Sequence, residues 1–177
     1  YIFLADGFEE CEALAPIDIL RRENIEIKTV GVGVETVTGS HGIPIVCDLK
    51  TSEITTDDLD GIILPGGMPG TLNLQKDKTV NQYIDFCAQN GKLICAICAA
   101  PLILGNKNLL QNKNATCYPG FEKELIGANI FKKCVVKDGN IITACGAGAA
   151  FDFGFEILSY LKDQKTADNL KIQMRFI

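Results

Sequence analysis

The stretch that decides the fold is Gly91-Lys92-Leu93-Ile94-Cys95-Ala96-Ile97-Cys98-Ala99-Ala100-Pro101. Residues 93–97 form an apolar run of the kind found in strands that are buried on both faces. The run ends at Cys98, and small residues and a proline that can open a helix follow at once. This order predicts a sharp strand-to-helix turn that mounts a cysteine nucleophile and aims helix N–H groups at its sulfur. We therefore expect Cys98 to lose its proton more easily than a free cysteine.

Strand and helix signals alternate along the rest of the chain. Apolar runs predict strands at residues 1–4, 26–32, 61–64 and 141–144, a hairpin at 34–48, and weaker strands at 114–117 and 130–136. Helical spacing predicts helices at residues 9–22, 78–89 and 146–161, after Cys98, and from about residue 166. The predicted buried faces are Leu14, Ile17 and Cys11 in the first helix and Val80, Ile84 and Cys87 in the second. The alternation predicts an α/β fold, a doubly wound, mostly parallel sheet with helices on both faces, in a single domain over residues 1–177.

Composition and charge exclude several classes of partner. The net charge is −5, and no basic stripe appears, so we expect neither nucleic acid nor an anionic membrane as a partner. No apolar stretch is long enough to span a bilayer. The eight cysteines mostly lie in apolar runs, and the chain has enough apolar residues (47%) to form a core without disulfides. We therefore expect reduced thiols and a cytoplasmic protein.

Four loops leave the carboxyl ends of the predicted strands, at residues 6–12, 65–70, 98–101 and 145–149. Ligands of doubly wound sheets bind at this edge, beside the switch in strand order. These loops are also the richest in glycine, acidic residues or cysteine. The sequence therefore predicts a site where they converge on Cys98.

The loop after the first strand contains three carboxylates, in Glu9-Glu10-Cys11-Glu12. Acidic residues in the first turn of a helix stabilise it through the helix dipole, and this structural role accounts for most of them. Three are more than capping requires, so one turned toward Cys98 could donate and accept protons. A carboxyl group beside a thiolate is repelled when charged, so we expect it to hold its proton and share it with the sulfur.

Two glycine-rich turns could bind an anion. Pro65-Gly66-Gly67 offers backbone N–H groups that no side chain blocks, although an ordinary tight turn has the same composition. Gly146-Ala147-Gly148 precedes a helix but lacks the full spacing of a dinucleotide site, and we expect no cofactor.

Cys95 and Cys98 have the spacing of a redox or zinc pair. Cys95 lies inside a strand and no second ligand pair matches, so we expect a buried structural thiol at Cys95 and no metal site.

The chain has a single histidine, His41, at the bend of the predicted hairpin. A histidine on a turn is more often solvated than catalytic. No histidine lies near Cys98 in sequence, so a Cys-His-acid protease site cannot be assembled locally.

Residues 5–12, 64–67, 96–101 and 146–153, taken together, resemble the ThiJ/PfpI superfamily, in the branch of the parkinsonism-associated deglycase. The resemblance implies a flavodoxin-like sandwich and a homodimer. It assigns the nucleophile to Cys98 and its hydrogen-bonding glutamate to Glu12. It further implies that backbone N–H groups of Gly67 and Ala99 form an anion pocket.

The chain departs from the family pattern at two positions. Members of glyoxalase type have histidine where this chain has Tyr118, and a phenol is a poor base near neutral pH. The protease branch has histidine directly after the cysteine, where this chain has Ala99, which argues against peptidase chemistry. His41 aligns with a basic residue that approaches the partner's cysteine in family dimers, which leaves a functional role for it open.

These observations favour a cofactor-independent enzyme of glyoxalase or deglycase type, linked to oxidative stress, that acts on small carbonyl-containing substrates through Cys98 and Glu12. The alternative is a redox sensor or chaperone with little turnover, in which Cys98 is oxidised and a protonated Glu12 stabilises the product. A role in thiazole biosynthesis, which the superfamily name suggests, finds no support in these residues.

Overall fold

The computed structural model describes residues 1–176. Its strands are β1 (Ile2–Leu4), β2 (Thr29–Gly31), β3 (Thr36–Thr38), β4 (Pro44–Val46), β5 (Leu49–Lys50), β6 (Gly61–Leu64), β7 (Leu93–Ile97), β8 (Asn114–Ala115), β9 (Asn129–Ile130), β10 (Val135–Asp138) and β11 (Ile141–Ala144). Its α-helices are α1 (Glu10–Arg22), α2 (Gly70–Lys76), α3 (Lys78–Gln89), α4 (Pro101–Asn106), α5 (Ala150–Leu161) and α6 (Gln164–Gln173).

Seven strands form the central sheet, in the order β10-β11-β7-β6-β1-β2-β5. All neighbours are parallel except β10 and β11, which form an antiparallel hairpin at one edge. The order reverses at β1, so β1 and β6 flank the switch point of a doubly wound, flavodoxin-like sheet. The prediction of an α/β fold with a mostly parallel sheet is confirmed.

The core lies in two layers, one on each face of the sheet. Helices α1, α5 and α6 pack on one face, and α2, α3 and α4 pack on the other. Successive residues of β7 alternate between the layers, with Cys95 and Ile97 in the first and Ile94 and Ala96 in the second. Every residue of β7 is therefore buried, which explains why its sequence is apolar without interruption.

The inner face of α1 differs from the predicted one. Ile17 is buried, but Leu14 is 38% exposed and Cys11 is also exposed. The face that packs against α5 includes Pro16 and Ile19: a Cβ at Gly154 would lie 2.6 Å from the Cδ1 of Ile19 and 3.1 Å from the Cα of Pro16. Cys11 and Leu14 instead share the exposed face of α1 with Asp18 and Arg21. In α3, by contrast, the predicted face of Val80, Ile84 and Cys87 is buried.

Several element boundaries also differ. The strand predicted at residues 26–32 is regular only over Thr29–Gly31, and the one predicted at 130–136 separates into the end of β9 and the start of β10. Helix α2 was not predicted, because it directly follows a turn rich in proline and glycine. Helix α6 begins at Gln164 rather than near residue 166, since the Asp163 side chain accepts a hydrogen bond from the N–H of Thr166 and caps it.

Among residues 1–176, no helix combines the length and the apolar character that a membrane crossing requires.

Candidate active site

Cys98 occupies the turn between β7 and α4 in a strained backbone conformation. Its φ is 65°, in the left-handed region that residues with a side chain rarely adopt. The backbone is held there from both sides. The N–H of Cys98 donates to the carbonyl of Ala144 at 2.8 Å, and its own carbonyl accepts from the N–H of Tyr118 at 2.8 Å. The structure thus has the predicted strand–turn–helix geometry, with the Cys98 side chain only partly exposed.

Glu12 reaches Cys98 from the first turn of α1. Its side chain is buried (1% exposed) and shares a hydrogen bond with the Cys98 thiol. The Oε2 atom of Glu12 also accepts a hydrogen bond from the N–H of Gly66 at 2.9 Å. Glycine is needed at position 66 because a Cβ there would lie 2.6 Å from Glu12 Oε2 and 2.7 Å from the Cβ of Cys98. Two of the predicted loops and the cysteine turn therefore meet at these three residues.

The three acidic residues of this loop have three different roles in the structure. Glu9 is the N-cap of α1, and its Oε2 accepts a hydrogen bond from the N–H of Glu12 at 2.7 Å. Glu10 turns toward the β3–β4 hairpin and binds His41. Only Glu12 points into the site, as the prediction of one inward carboxylate required.

Burial raises the pKa of the Glu12 carboxyl to about 7, although hydrogen bonds from Cys98 and from the N–H of Gly66 favour the charged form. The Glu12 carboxyl therefore titrates near neutral pH, where an ordinary glutamate is charged. This agrees with the prediction that the carboxyl group beside the cysteine keeps its proton.

The pKa of Cys98 differs from the prediction. Burial raises it, and the charge and hydrogen bond of Glu12 raise it further, to about 12. Hydrogen bonds from the N–H groups of Ala99 and Gly67 act in the opposite direction but do not outweigh these effects. The turn does supply N–H groups to the sulfur. The prediction of a lowered pKa was wrong because desolvation and a neighbouring carboxylate count for more.

Glu12 and Cys98 titrate as a pair, because each changes the charge that the other faces. The pair loses its first proton near pH 7, and one proton then remains in the hydrogen bond between them. Moving that proton from the sulfur to the Glu12 oxygen produces a thiolate without releasing a proton to water. The N–H groups of Ala99 and Gly67 stabilise the charge in this form.

The anion pocket implied by the family resemblance has its N–H groups in place. Gly67 has a φ of 89°, and a Cβ there would lie 2.4 Å from the Glu9 nitrogen. Only glycine can adopt this conformation at such close approach, and it directs the Gly67 N–H at the Cys98 sulfur. With the Ala99 N–H, it offers two donors where negative charge would develop.

Tyr118 lies at the rim of the site. Its backbone is bound to Cys98, and its ring covers Gly146, where a Cβ would lie 3.3 Å from the tyrosine Cδ2. The side chain is 51% exposed. Gly146 and the short 3₁₀ turn at Ala147–Ala149 complete the rim of the site. The backbone carbonyl of Ala144 accepts the hydrogen bond from the Cys98 N–H. The contribution of Ala144 could not be predicted from the sequence, because it comes from a backbone carbonyl, which every residue has.

His41 lies beside Glu10 on the other side of this loop. Its Nδ1 is 2.8 Å from Glu10 Oε2, and its backbone N–H donates to Glu10 Oε1 at 2.8 Å. Burial alone would raise the pKa of Glu10, but hydrogen bonds from His41 and from the N–H of Ile43 outweigh it and hold the pKa at about 2. The hydrogen bond and charge of Glu10 raise the pKa of His41, whose side chain is 70% exposed.

Glu9, Glu10 and His41 form the only group among the described residues that could ligate a metal ion, with ligand atoms within 4.8 Å of one another. Glu9 already caps α1, and Glu10 already pairs with His41. Exposed clusters of this kind are common without a metal, so we assign none.

A cavity of about 600 Å³ lies at the opposite end of the sheet, where strands β1, β6 and β7 begin. It is lined by Tyr1, Asp60 and Leu93 among other residues, and it contains none of the predicted site residues. The candidate site is therefore a partly exposed thiol with convergent polar groups, and this cavity is separate from it.

Known proteins are similar to this chain in sequence and in fold. The profile of the DJ-1/PfpI family matches residues 1–160. Protein dj-1beta of Drosophila melanogaster is 34% identical over 178 residues, which cover 97% of this chain and 95% of that protein. A deglycase of Pyrococcus abyssi is 29% identical over 163 residues, which cover 91% of this chain and 98% of that protein. The structure of oxidized DJ-1 from Toxoplasma gondii has a TM-score of 0.93 at 29% identity, covering 98% of this chain and 95% of that one.

Proposed function

Because the chain belongs to the DJ-1/PfpI family, we propose that it is a cysteine-dependent enzyme that converts small reactive carbonyl compounds without a cofactor. The similarity to a deglycase of Pyrococcus abyssi supports this substrate class. The observation that carries the proposal is the hydrogen bond between Cys98 and Glu12, two ionisable groups that share a proton beside two N–H donors.

The first step is addition of the Cys98 sulfur to the aldehyde carbon of a substrate such as methylglyoxal. Proton transfer from the thiol to Glu12 supplies the thiolate, and a carbon–sulfur bond forms as the carbonyl π bond breaks. The N–H groups of Gly67 and Ala99, which face the sulfur, stabilise the oxyanion. Glu12 then returns its proton to this oxygen, which gives a neutral hemithioacetal.

The second half of the reaction moves hydrogen within the bound substrate. The Glu12 carboxylate removes the proton from the former aldehyde carbon, and the hydroxyl proton on that carbon passes to the oxygen of the neighbouring carbonyl. Glu12 then delivers its proton to the neighbouring carbon, which converts the hemithioacetal into a thioester of a hydroxy acid. Water adds to the thioester, the carbon–sulfur bond breaks, and the hydroxy acid leaves as Cys98 regains its proton. Methylglyoxal and one water thus give lactate, with no net oxidation.

The proposal is tested by following conversion of methylglyoxal to lactate with the full chain. We expect Cys98→Ser and Glu12→Gln each to lower turnover by about a hundredfold or more, because each removes a reacting group. Cys11→Ser is the matched control, since Cys11 is an exposed cysteine one residue from Glu12 whose side chain lies on the solvent side of α1. Turnover that survives in Cys98→Ser would overturn the proposal.

A second function, oxidation of Cys98 with little turnover, is favoured by a specific observation. The related DJ-1 of Toxoplasma gondii is described as oxidized, and in this chain the partly exposed Cys98 thiol faces a Glu12 that can hold a proton. A protonated carboxyl could donate a hydrogen bond to a sulfinate oxygen. Stoichiometric peroxide modification of Cys98 without consumption of methylglyoxal would favour this function over the first.

A homodimer belongs to the same proposal, as the family resemblance implies. The apolar surface of the β3–β4 hairpin supports it, since Val46 is 69% and Ile43 is 49% exposed beside His41. In such a dimer His41 would line the partner's site. Light scattering tests the assembly: a monomeric mass at micromolar concentration would contradict it.

A further inference from the structure

Cys134 and Cys145 lie directly opposite each other at the end of the β10–β11 hairpin. The ladder pairs Val135 with Ala144, so the next pair outward in the same register is Cys134 with Cys145. The ladder does continue to this pair, because the N–H of Cys145 donates to the carbonyl of Cys134 at 2.9 Å. Side chains of directly opposed residues lie on the same face of a hairpin.

The two side chains also interact: after burial, the charge and hydrogen bond of Cys134 contribute most to the raised pKa of the Cys145 thiol. Opposed residues of such a pair have Cα atoms about 5.5 Å apart, which lies within the range of about 4.4–6.8 Å found in disulfides. Cys134 is exposed and Cys145 is half-buried, and both are reduced in the structure. The pair is therefore accessible to a small oxidant and close enough to form a bond.

This pair adjoins the Cys98 site without being part of it. Ala144, the residue before Cys145, accepts the hydrogen bond that fixes the Cys98 backbone. Gly146, the residue after it, packs under the Tyr118 ring. The charge of Glu12 contributes to the raised pKa of Cys145, after burial and the effects of Cys134. The pair is therefore joined to the Cys98 turn through the backbone of residues 144–146.

We propose that Cys134 and Cys145 form a modification site, a dithiol that hydrogen peroxide converts into an intramolecular disulfide independently of Cys98. The exposed Cys134 sulfur attacks one peroxide oxygen, the O–O bond breaks, and a sulfenic acid and one water result. The Cys145 sulfur then attacks the Cys134 sulfur, the S–O bond breaks, and a second water leaves with the thiol proton. The two thiols together lose two electrons and two protons, and the peroxide is reduced to two waters.

The experiment uses the full chain carrying Cys98→Ser, so that oxidation at Cys98 cannot contribute. The protein is treated with hydrogen peroxide, the remaining thiols are alkylated, and unreduced tryptic peptides are mapped by mass spectrometry. We expect two fewer alkylated cysteines and a cross-linked peptide pair that contains Cys134 and Cys145 and separates after reduction with dithiothreitol. Because this variant lacks Cys98, the result does not depend on the proposed carbonyl chemistry. Either proposal can therefore fail while the other holds.

Variants identify the pair. In the same background, Cys134→Ser and Cys145→Ser should each abolish the cross-link, whereas Cys11→Ser, at another exposed cysteine, should leave it unchanged. The proposal is overturned if both thiols remain alkylatable. It is equally overturned if Cys134 gains oxygen without cross-linking, or if the cross-link joins Cys134 to another cysteine or another chain.

Discussion

The side chains of Glu12 and Cys98 share a hydrogen bond, although Glu12 lies in the first turn of α1 and Cys98 directly follows β7. Each controls the charge of the other. Burial keeps a proton on Glu12 to about pH 7, and the Glu12 carboxylate helps to raise the pKa of Cys98 to about 12. The reactivity of the cysteine is therefore a property of the pair.

We expect Glu12→Gln to lower the pKa of Cys98 well below about 12. The change removes the carboxylate charge and the acceptor that holds the thiol proton. The Gln side-chain oxygen can still accept from Gly66, which turns its NH₂ group toward the sulfur as a donor. Thiolate ultraviolet absorbance measured against pH, with Cys98→Ser as the blank, gives the pKa. Glu10→Gln is the control in the same helical turn, and an unchanged pKa in Glu12→Gln would contradict the coupling.

The pH dependence of stability should also depend on Glu12. Its pKa is 4.5 in the unfolded chain and about 7 in the folded one, so the folded state holds more protons between these values. The free energy of unfolding therefore falls as pH rises from about 4.5 through about 7, by on the order of 3 kcal/mol at most. Urea unfolding across this pH range should show a smaller fall in Glu12→Gln. An equal fall in both proteins would assign the effect to other groups.

Much of the site could be predicted because its signals are local. The apolar run that ends at Cys98 and the surplus of acidic residues in the first helical turn are visible in sequence. A parallel sheet brings loops at the carboxyl ends of its strands together, so Glu12, Gly66 and Cys98 could be expected to meet.

The remaining features depend on distances between segments far apart in the chain. The direction of the Cys98 pKa shift was mispredicted because it depends on how deeply the sulfur is buried and on the charge of Glu12. The pairing of Glu10 with His41 depends on where the β3–β4 hairpin folds against α1. The exposure of Leu14 depends on which face of α1 packs against α5. None of these quantities is encoded in spacing along the sequence.

Gly66→Ala should disrupt the pair by steric overlap. The added Cβ would lie 2.6 Å from Glu12 Oε2 and 2.7 Å from the Cys98 Cβ, so one of them must move. We expect a loss of about 1–3 kcal/mol in the free energy of unfolding and a changed rate of Cys98 alkylation by iodoacetamide. Gly148→Ala is the matched control, because a Cβ there meets nothing within 4 Å. Equal behaviour of the two variants would mean that Gly66 does not set the Glu12–Cys98 geometry.

The single histidine allows a direct test of the contact between α1 and the hairpin. Glu10 raises the pKa of His41 above 6.5 through a hydrogen bond and its charge. Glu10→Gln should therefore lower the His41 pKa, as measured from the imidazole proton shifts in an NMR titration. Glu9→Gln should have a smaller effect, since Glu9 contributes only through its charge. A larger shift in Glu9→Gln would show that His41 pairs with the other carboxylate in solution.

Tyr118→His tests whether the departure from the glyoxalase pattern limits catalysis. Tyr118 lies at the rim of the site, with its backbone bound to Cys98 and its half-exposed ring over Gly146, so an imidazole can replace the ring without displacing a buried side chain. An imidazole titrates near neutral pH and can accept the proton that a phenol cannot. We expect methylglyoxal turnover to rise by about tenfold or more, with the gain lost below the imidazole pKa. Tyr160→His, on another exposed surface, is the control. Turnover that stays at the level of the unmodified chain at all pH values would show that Glu12 alone transfers the protons, and that no base is missing at position 118.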